Sequence, residues 1–286
     1  MKYLVQSRVW VALGAGSVNG GVALLLGVRP SLAMMVIHFL VCYAVYSLNM
    51  VSDLKEDALG NPARAAFARR FTLLIILVSL GSLVLAVGMA LPYGVHVVLG
   101  TFIPFLIGLS YSFGFIPTSL RPLKATRLKA IPLVKNLTVA GTWSLTAVVL
   151  QERWDVILSV AGLACVILIA LRVLMTSILP DMRDSLADRQ HGINTIPVVY
   201  GEAATLRLVG WLNLLFAIVV LICVWAGIFE RFALGLLFFS VYGAAYLWAI
   251  AQRGVVTSLM CDVVIDGEHV IFAAILLLAI HIFGIV

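Results

Sequence analysis

Charge is scarce in this chain. Only 11% of its 286 residues are Asp, Glu, Lys or Arg, and the acids number 13. A soluble globule of this size keeps much of its surface in water, and so little charge does not cover it when 63% of the residues are hydrophobic. Cysteine offers no scaffold either. Cys42, Cys165, Cys223 and Cys261 are widely separated with no CxxC spacing, which argues against a disulfide framework or a zinc site and for buried, small apolar side chains. No stretch reads as a cleavable leader, because the first apolar run begins near Val9 behind Lys2 and Arg8 without a small-residue cleavage site. The 19 Lys and Arg give a formal charge of +6, yet they fall in short links between apolar runs, so they read as membrane orientation signals and not as a nucleic-acid surface.

What the chain has in abundance is runs of roughly 20 apolar residues, the length that crosses a bilayer. The fold expected is all-α: a polytopic membrane protein, one domain over residues 1–286, built as a bundle of about nine transmembrane helices with Asp-rich cytoplasmic loops. The helices are expected near 9–27, 31–52, 71–91, 94–114, 133–151, 155–180, 205–229, 232–252 and 268–286. With the N-terminus inside, fifteen Lys and Arg fall on inside segments and three on outside ones, while Arg172 lies within a span. That bias predicts a cytoplasmic N-terminus and an outside C-terminus.

The acids follow the same asymmetry. "NMVSDLKED" sets Asn49, Asp53 and Asp57 at four-residue steps, and "DMRDSLADRQHG" sets Asp181, Asp184 and Asp188 at steps of three and four. On a helix such residues share one face, about 6 Å apart, so the first set should form an oxygen-bearing ridge continuing the second helix. Carboxylates crowded beside a low-dielectric medium repel one another unless a cation joins them. Oxygen ligands without His or Cys suit Mg²⁺, which binds a few carboxylates together with substrate phosphates. A third group, "CDVVIDGEH", shares the spacing but lacks a comparable polar flank and reads as ordinary solvated charge. Between the two ridges lies a basic link carrying Arg121, Lys124, Arg127, Lys129 and Lys135, candidates for phosphate oxygens or for anionic headgroups. Tyr111 ends the helix before this link, as a pocket wall or an interfacial anchor.

Taken together, NxxxDxxxD after the second span, Tyr111–Ser112 ahead of a basic loop, "RLKAIPLVKN" and "DMRDSLADRQHGINTIPVVYG" resemble the UbiA superfamily of intramembrane prenyltransferases. Gly192, Thr195, Pro197 and Gly201 match that superfamily's continuation of the second motif. The resemblance implies a prenyl diphosphate bound through Mg²⁺, with two ions expected, held by Asn49, Asp53, Asp57, Asp181, Asp184 and Asp188. It places Lys129, with Lys124 and Lys135, on the phosphates, and Arg127 and Ser112 join them as substrate-binding candidates. The expected catalytic residues are Asp53, Asp57, Asp184, Asp188 and Tyr111. The expected activity is transfer of an isoprenyl group to a small aromatic or lipid acceptor within the bilayer.

Arg172 should face the bundle, since an arginine exposed to lipid is costly, and it is a candidate for reaching the diphosphate. Trp143 is a second aromatic candidate for steadying an allylic cation, whereas Trp10, Trp154, Trp211, Trp225 and Trp248 read as lipid-facing or interfacial. The nearest rival is a membrane terpene cyclase of the same superfamily, which keeps the metal site and dispenses with the acceptor. A CDP-alcohol phosphotransferase requires a signature this chain lacks. A transporter or cation channel would distribute acids along a path through the membrane and not gather them at one face.

Overall fold

The computed structural model describes residues 2–112 and 133–283. Every regular element among them is helical. Chain order gives α1 Val9–Leu25, α2 Leu32–Ser52, α3 Leu54–Gly60, α4 Pro62–Ala90, α5 Val95–Ser112, α6 Val134–Val149, α7 Val160–Gln190, α8 Glu202–Trp225 and α9 Leu237–Arg253. A π-helical turn over Met260–Ile265 then leads into α10 Asp266–Val270 and α11 Phe272–Ile282. Among the described residues five helices (α2, α4, α7, α8 and the stretch Arg231–Arg253) are long and apolar enough to cross a membrane. A sixth is obtained if α11 and the bent segment before it count as one span, and α1 is a shorter apolar helix. The chain is an integral membrane protein.

Successive packing closes a ring through α1, α2, α5, α6, α7 and α8, then by the turn Arg231–Leu236 to α11 and back to α1; α4 lies against the outside of α2. In lipid the apolar effect gives helices little reason to associate, so close approach over small residues takes its place. α1 supplies these. A Cβ on Gly14 would lie 2.8 Å from the Cβ of His269, and one on Gly21 would lie 2.4 Å from Cδ1 of Phe272. Of the tryptophans expected at the surface, Trp154, Trp211, Trp225 and Trp248 are exposed and Trp10 is half-buried, while Trp143 is buried.

Three expected boundaries move, each toward more helix at the charged face. α4 begins at Pro62 and not near 71, because Asn61 caps it by accepting from the Arg64 amide at 3.3 Å and Pro62 sits in the first turn, where its missing N–H costs nothing. A break in its dihedrals at Phe71 marks where the early start joins the apolar span. α7 runs through Pro180 to Gln190, so the second acidic motif lies on a helix and not in a loop. The last span is preceded by the π turn, so Asp262 and Asp266 are helical rather than parts of a link.

Arg172 faces the bundle, but it does not reach the charged cavity described below. It is 2% exposed and Glu268 1%. Its Nε donates to Glu268 Oε1 at 3.0 Å and its Nη2 pairs with Oε2, while Nη1 donates to Asn213 Oδ1 at 2.8 Å and Nη2 to Tyr246 Oη at 3.4 Å. The guanidinium sits 5.1 Å from the centroid of the Phe216 ring. One side chain thereby ties α7 to α8, α9 and α10. Removing one partner of such a pair strands the other charge in an apolar interior, at about 3–5 kcal/mol. Arg172→Leu is therefore expected to lower the thermal unfolding midpoint in detergent sharply, and Arg172→Leu with Glu268→Leu to lower it less than either change alone.

Candidate active site

α2 ends at Ser52, and Asp53 departs from helical dihedrals (φ −98°, ψ 14°). The ladder nonetheless continues across the break: Asp53 N–H donates to Asn49 O at 3.0 Å and Asp57 N–H to Asp53 O at 2.8 Å. The ridge is thus bent, not cut. Ser52 Oγ, which donates to Asn49 O at 2.8 Å and to Asp53 Oδ1 at 3.0 Å, stabilises the bend. Asn49, Asp53 and Asp57 line one cavity with Asp181, Asp184 and Asp188 from α7. Gly60 allows this approach, since a Cβ there would lie 2.6 Å from Asp184 Oδ1.

Two features were not legible in the spacing. First, the third acidic group is not solvated charge: Asp262 and Asp266 line the same cavity, so seven of the chain's 13 acids meet there. Second, arginines from other elements join them. Arg64 from α4, Arg183 from α7 and Arg8 from just before α1 line the cavity together with Lys135 from α6. Arg8 holds a left-handed backbone (φ 66°) and lies 5.9 Å from the centroid of the Tyr46 ring. The signals available were Asn61–Pro62, which starts α4 early, and the third DxxxD itself.

Ion pairs organise the cavity. Lys135 donates to Asp181 Oδ1 at 2.5 Å, and Asn136 Nδ2 donates to Asp181 Oδ2 at 3.2 Å. Arg183 grips Asp184 with Nε and Nη2 at 2.8 and 2.7 Å. Arg64 lies 3.6 Å from Asp57 and donates to Asp262 at 2.8 Å. Burial, only partly offset by Arg64, raises the Asp57 carboxyl above its ordinary range. Asp188 is buried, and its Oδ2 has no partner among the described residues. No three His, Cys or acidic groups converge as a preformed metal cluster among those residues, since Asp57, Asp181 and Asp184 each face a cation instead.

A second pocket opens off the first. It shares Tyr46, Asn49, Val139 and Trp143 with the charged cavity and continues between α2, α5 and α6 past His38, Val45, Ile107, Gly108 and Thr142. Its walls are mostly apolar. Trp143 Nε1 donates to Tyr46 Oη at 3.1 Å, which fixes both rings at the junction. Tyr111 and Ser112 close α5; the roles expected of their side chains, like those of Lys124, Arg127 and Lys129, lie outside the described residues.

The class of architecture is a helical membrane bundle in which an acid-lined cavity adjoins an apolar slot, a division of space that suits an amphiphilic, anionic ligand. The profile of the UbiA prenyltransferase family matches residues 9–258, and the chain belongs to that family. Solved structures agree on the fold. A UbiA homologue from Archaeoglobus fulgidus bound to DMAPP and Mg²⁺ is 18% identical with a TM-score of 0.67, covering 99% of this chain and 100% of its own. The apo structure of a UbiA homologue from Aeropyrum pernix K1 is 16% identical with a TM-score of 0.68, covering 97% and 98%. A digeranylgeranylglyceryl phosphate synthase is 17% identical with a TM-score of 0.58, covering 97% and 95%. No curated protein sequence matches the chain.

The raised Asp57 pKa has a sign. Burial makes the charged carboxylate costly in the native state, and that cost sets in as pH rises above the ordinary carboxyl range. Asp57→Asn is therefore expected to raise the unfolding midpoint at pH 7 and to lose that advantage below about pH 4. Thermal melts across pH check it.

Proposed function

We propose that the protein transfers an isoprenyl group from a prenyl diphosphate to an aromatic or lipid acceptor inside the membrane, in a Mg²⁺-dependent reaction. The observation that carries this reading is the junction of the two pockets. A cavity rich in carboxylates and cations meets an apolar slot at Tyr46, Asn49 and Trp143, and a diphosphate with a hydrocarbon tail has that same division. The DMAPP and Mg²⁺ bound by the Archaeoglobus homologue support the same donor class.

The donor set fits divalent cations. Among the described lining residues seven carboxylates face four cations, leaving negative charge in excess, and Asp188 adds an unsatisfied buried oxygen. Asn49, Asp53, Asp57, Asp181, Asp184 and Asp188 would hold two Mg²⁺ ions, with Asn49 giving an oxygen without a further charge. Bound there, the metal neutralises charge that grows on the departing diphosphate.

The chain's own groups do the rest. Lys135 of α6 and Ser112 at the end of α5, with Lys124, Arg127 and Lys129 from the basic link, hold phosphate oxygens. The slot along α2, α5 and α6 takes the hydrocarbon tail and keeps water from the reacting carbon, where it would quench an allylic cation. As the C1–O bond breaks, the faces of Tyr46 and Trp143, with Tyr111, stabilise that cation without capturing it. The acceptor then attacks C1 and its proton passes to a carboxylate or to the released diphosphate. The positive-inside bias supports a cytoplasmic N-terminus and charged face, and the closed ring of packed helices supports one domain over 1–286.

Diphosphate release from a labelled allylic prenyl diphosphate, followed for purified protein with and without Mg²⁺, tests the reading. Asp53→Ala and Asp184→Ala are each expected to slow Mg²⁺-dependent release by about 100-fold or more. Release to a hydrocarbon or alcohol without any acceptor would favour a cyclase. No release at any chain length, with both variants like the parent, would remove the enzyme reading and favour transport.

A further inference from the structure

The two expected metal-binding ridges are joined by a chain of charges of which Arg64 and Asp262 lie outside both motifs. Asp57 pairs with Arg64, Arg64 with Asp262, Asp262 with Arg183, and Arg183 with Asp184. Asp262 is the centre of this chain. Its Oδ1 accepts from Arg64 Nη2 at 2.8 Å and from Arg183 Nη1 at 3.3 Å, while its Oδ2 accepts from Asn61 Nδ2 at 3.3 Å.

We propose that Asp262 is a positioning residue which holds Arg64 and Arg183 and so decides how readily Asp57 and Asp184 are released to a divalent cation. The proposal rests on the reading of the cavity given above. The argument is one of competition. Arg183 takes both oxygens of Asp184 in a fork, so a metal at Asp184 competes with that guanidinium for the same two oxygens. Neither arginine can retreat into water, since their side chains are 8% and 7% exposed. A buried guanidinium that leaves one carboxylate must rest on another, because an unpaired buried charge is far costlier than the pair it left. Among the described residues, Asp262 is the carboxylate both arginines already touch. Their release from Asp57 and Asp184 is then a shift of weight along bonds already formed. The π turn over Met260–Ile265 carries Asp262, and Asn61, the cap of α4, fixes its second oxygen.

The test is Mn²⁺ binding to the purified full-length protein, read by the electron paramagnetic resonance of free Mn²⁺, without donor or acceptor. Asp262→Asn leaves both arginines with Asp57 and Asp184 as their only negatively charged partners among the described residues, and the Mn²⁺ affinity is expected to fall about tenfold. Adding Arg64→Met should recover much of that loss, yet shift the otherwise unaltered protein much less. Unchanged affinity in Asp262→Asn overturns the proposal. So do effects of the two substitutions that simply add, because a bare loss of charge would add. If Asp262→Asn does not yield folded protein, Asp262→Glu keeps the charge but moves it by a methylene. It should still weaken binding, and unchanged affinity there overturns the proposal equally. Asp53→Ala is run beside them. If it leaves Mn²⁺ binding intact, the reading of the cavity fails and the proposal with it; if it abolishes binding while Asp262→Asn does nothing, the proposal alone fails.

Discussion

A charge carried into a bilayer has to be answered by another charge, and this requirement governs the arrangement of the whole bundle. The chain has few ionisable groups, and in the interior they are spent in pairs that link helices distant in sequence. Arg172 and Glu268 lock α7 against the last span, 96 positions away. Arg64 and Arg183 meet on Asp262 from α4 and α7. Helices that gain little from apolar association in lipid are thus registered by a few electrostatic contacts and by close approach over glycine.

The same economy shapes the site. Polar groups are gathered at one end, while the slot between α2, α5 and α6 is lined almost wholly by apolar side chains and threonines. Tyr46 and Trp143 stand where the two regions meet, each presenting an aromatic face and a polar edge, and the Nε1–Oη hydrogen bond between them satisfies the indole donor. An amphiphile is recognised there by division of space more than by any single contact.

Much of this was legible in the sequence, for reasons that are themselves physical. Apolar runs announce helices in any membrane protein, and the four-residue steps of Asn49, Asp53, Asp57 and of Asp184, Asp188 survive folding because a helical backbone preserves them even across the bend at Asp53. What stayed hidden depended on tertiary pairing. Arg64 looked like one of many cytoplasmic basic residues, since nothing local says that it meets an aspartate 198 positions later. Asp262 and Asp266 looked solvated because a π turn leaves no mark in hydropathy. Arg172 was expected among the substrate ligands on the strength of its depth alone, and Glu268, assigned to another group, turned out to hold it.

The π turn has a consequence for how the last span tolerates change. A regular helix advances about 100° per residue, and a wider i→i+5 turn offsets that advance. Asp262 within it and Glu268 after it are aimed at different partners, Arg64 with Arg183 in one case and Arg172 in the other. The two aims belong to two phases of one helix, and the extra residue is the splice between them. Shortening the segment by one apolar position would keep both acids and still misdirect one of them. Length here is under stronger constraint than composition.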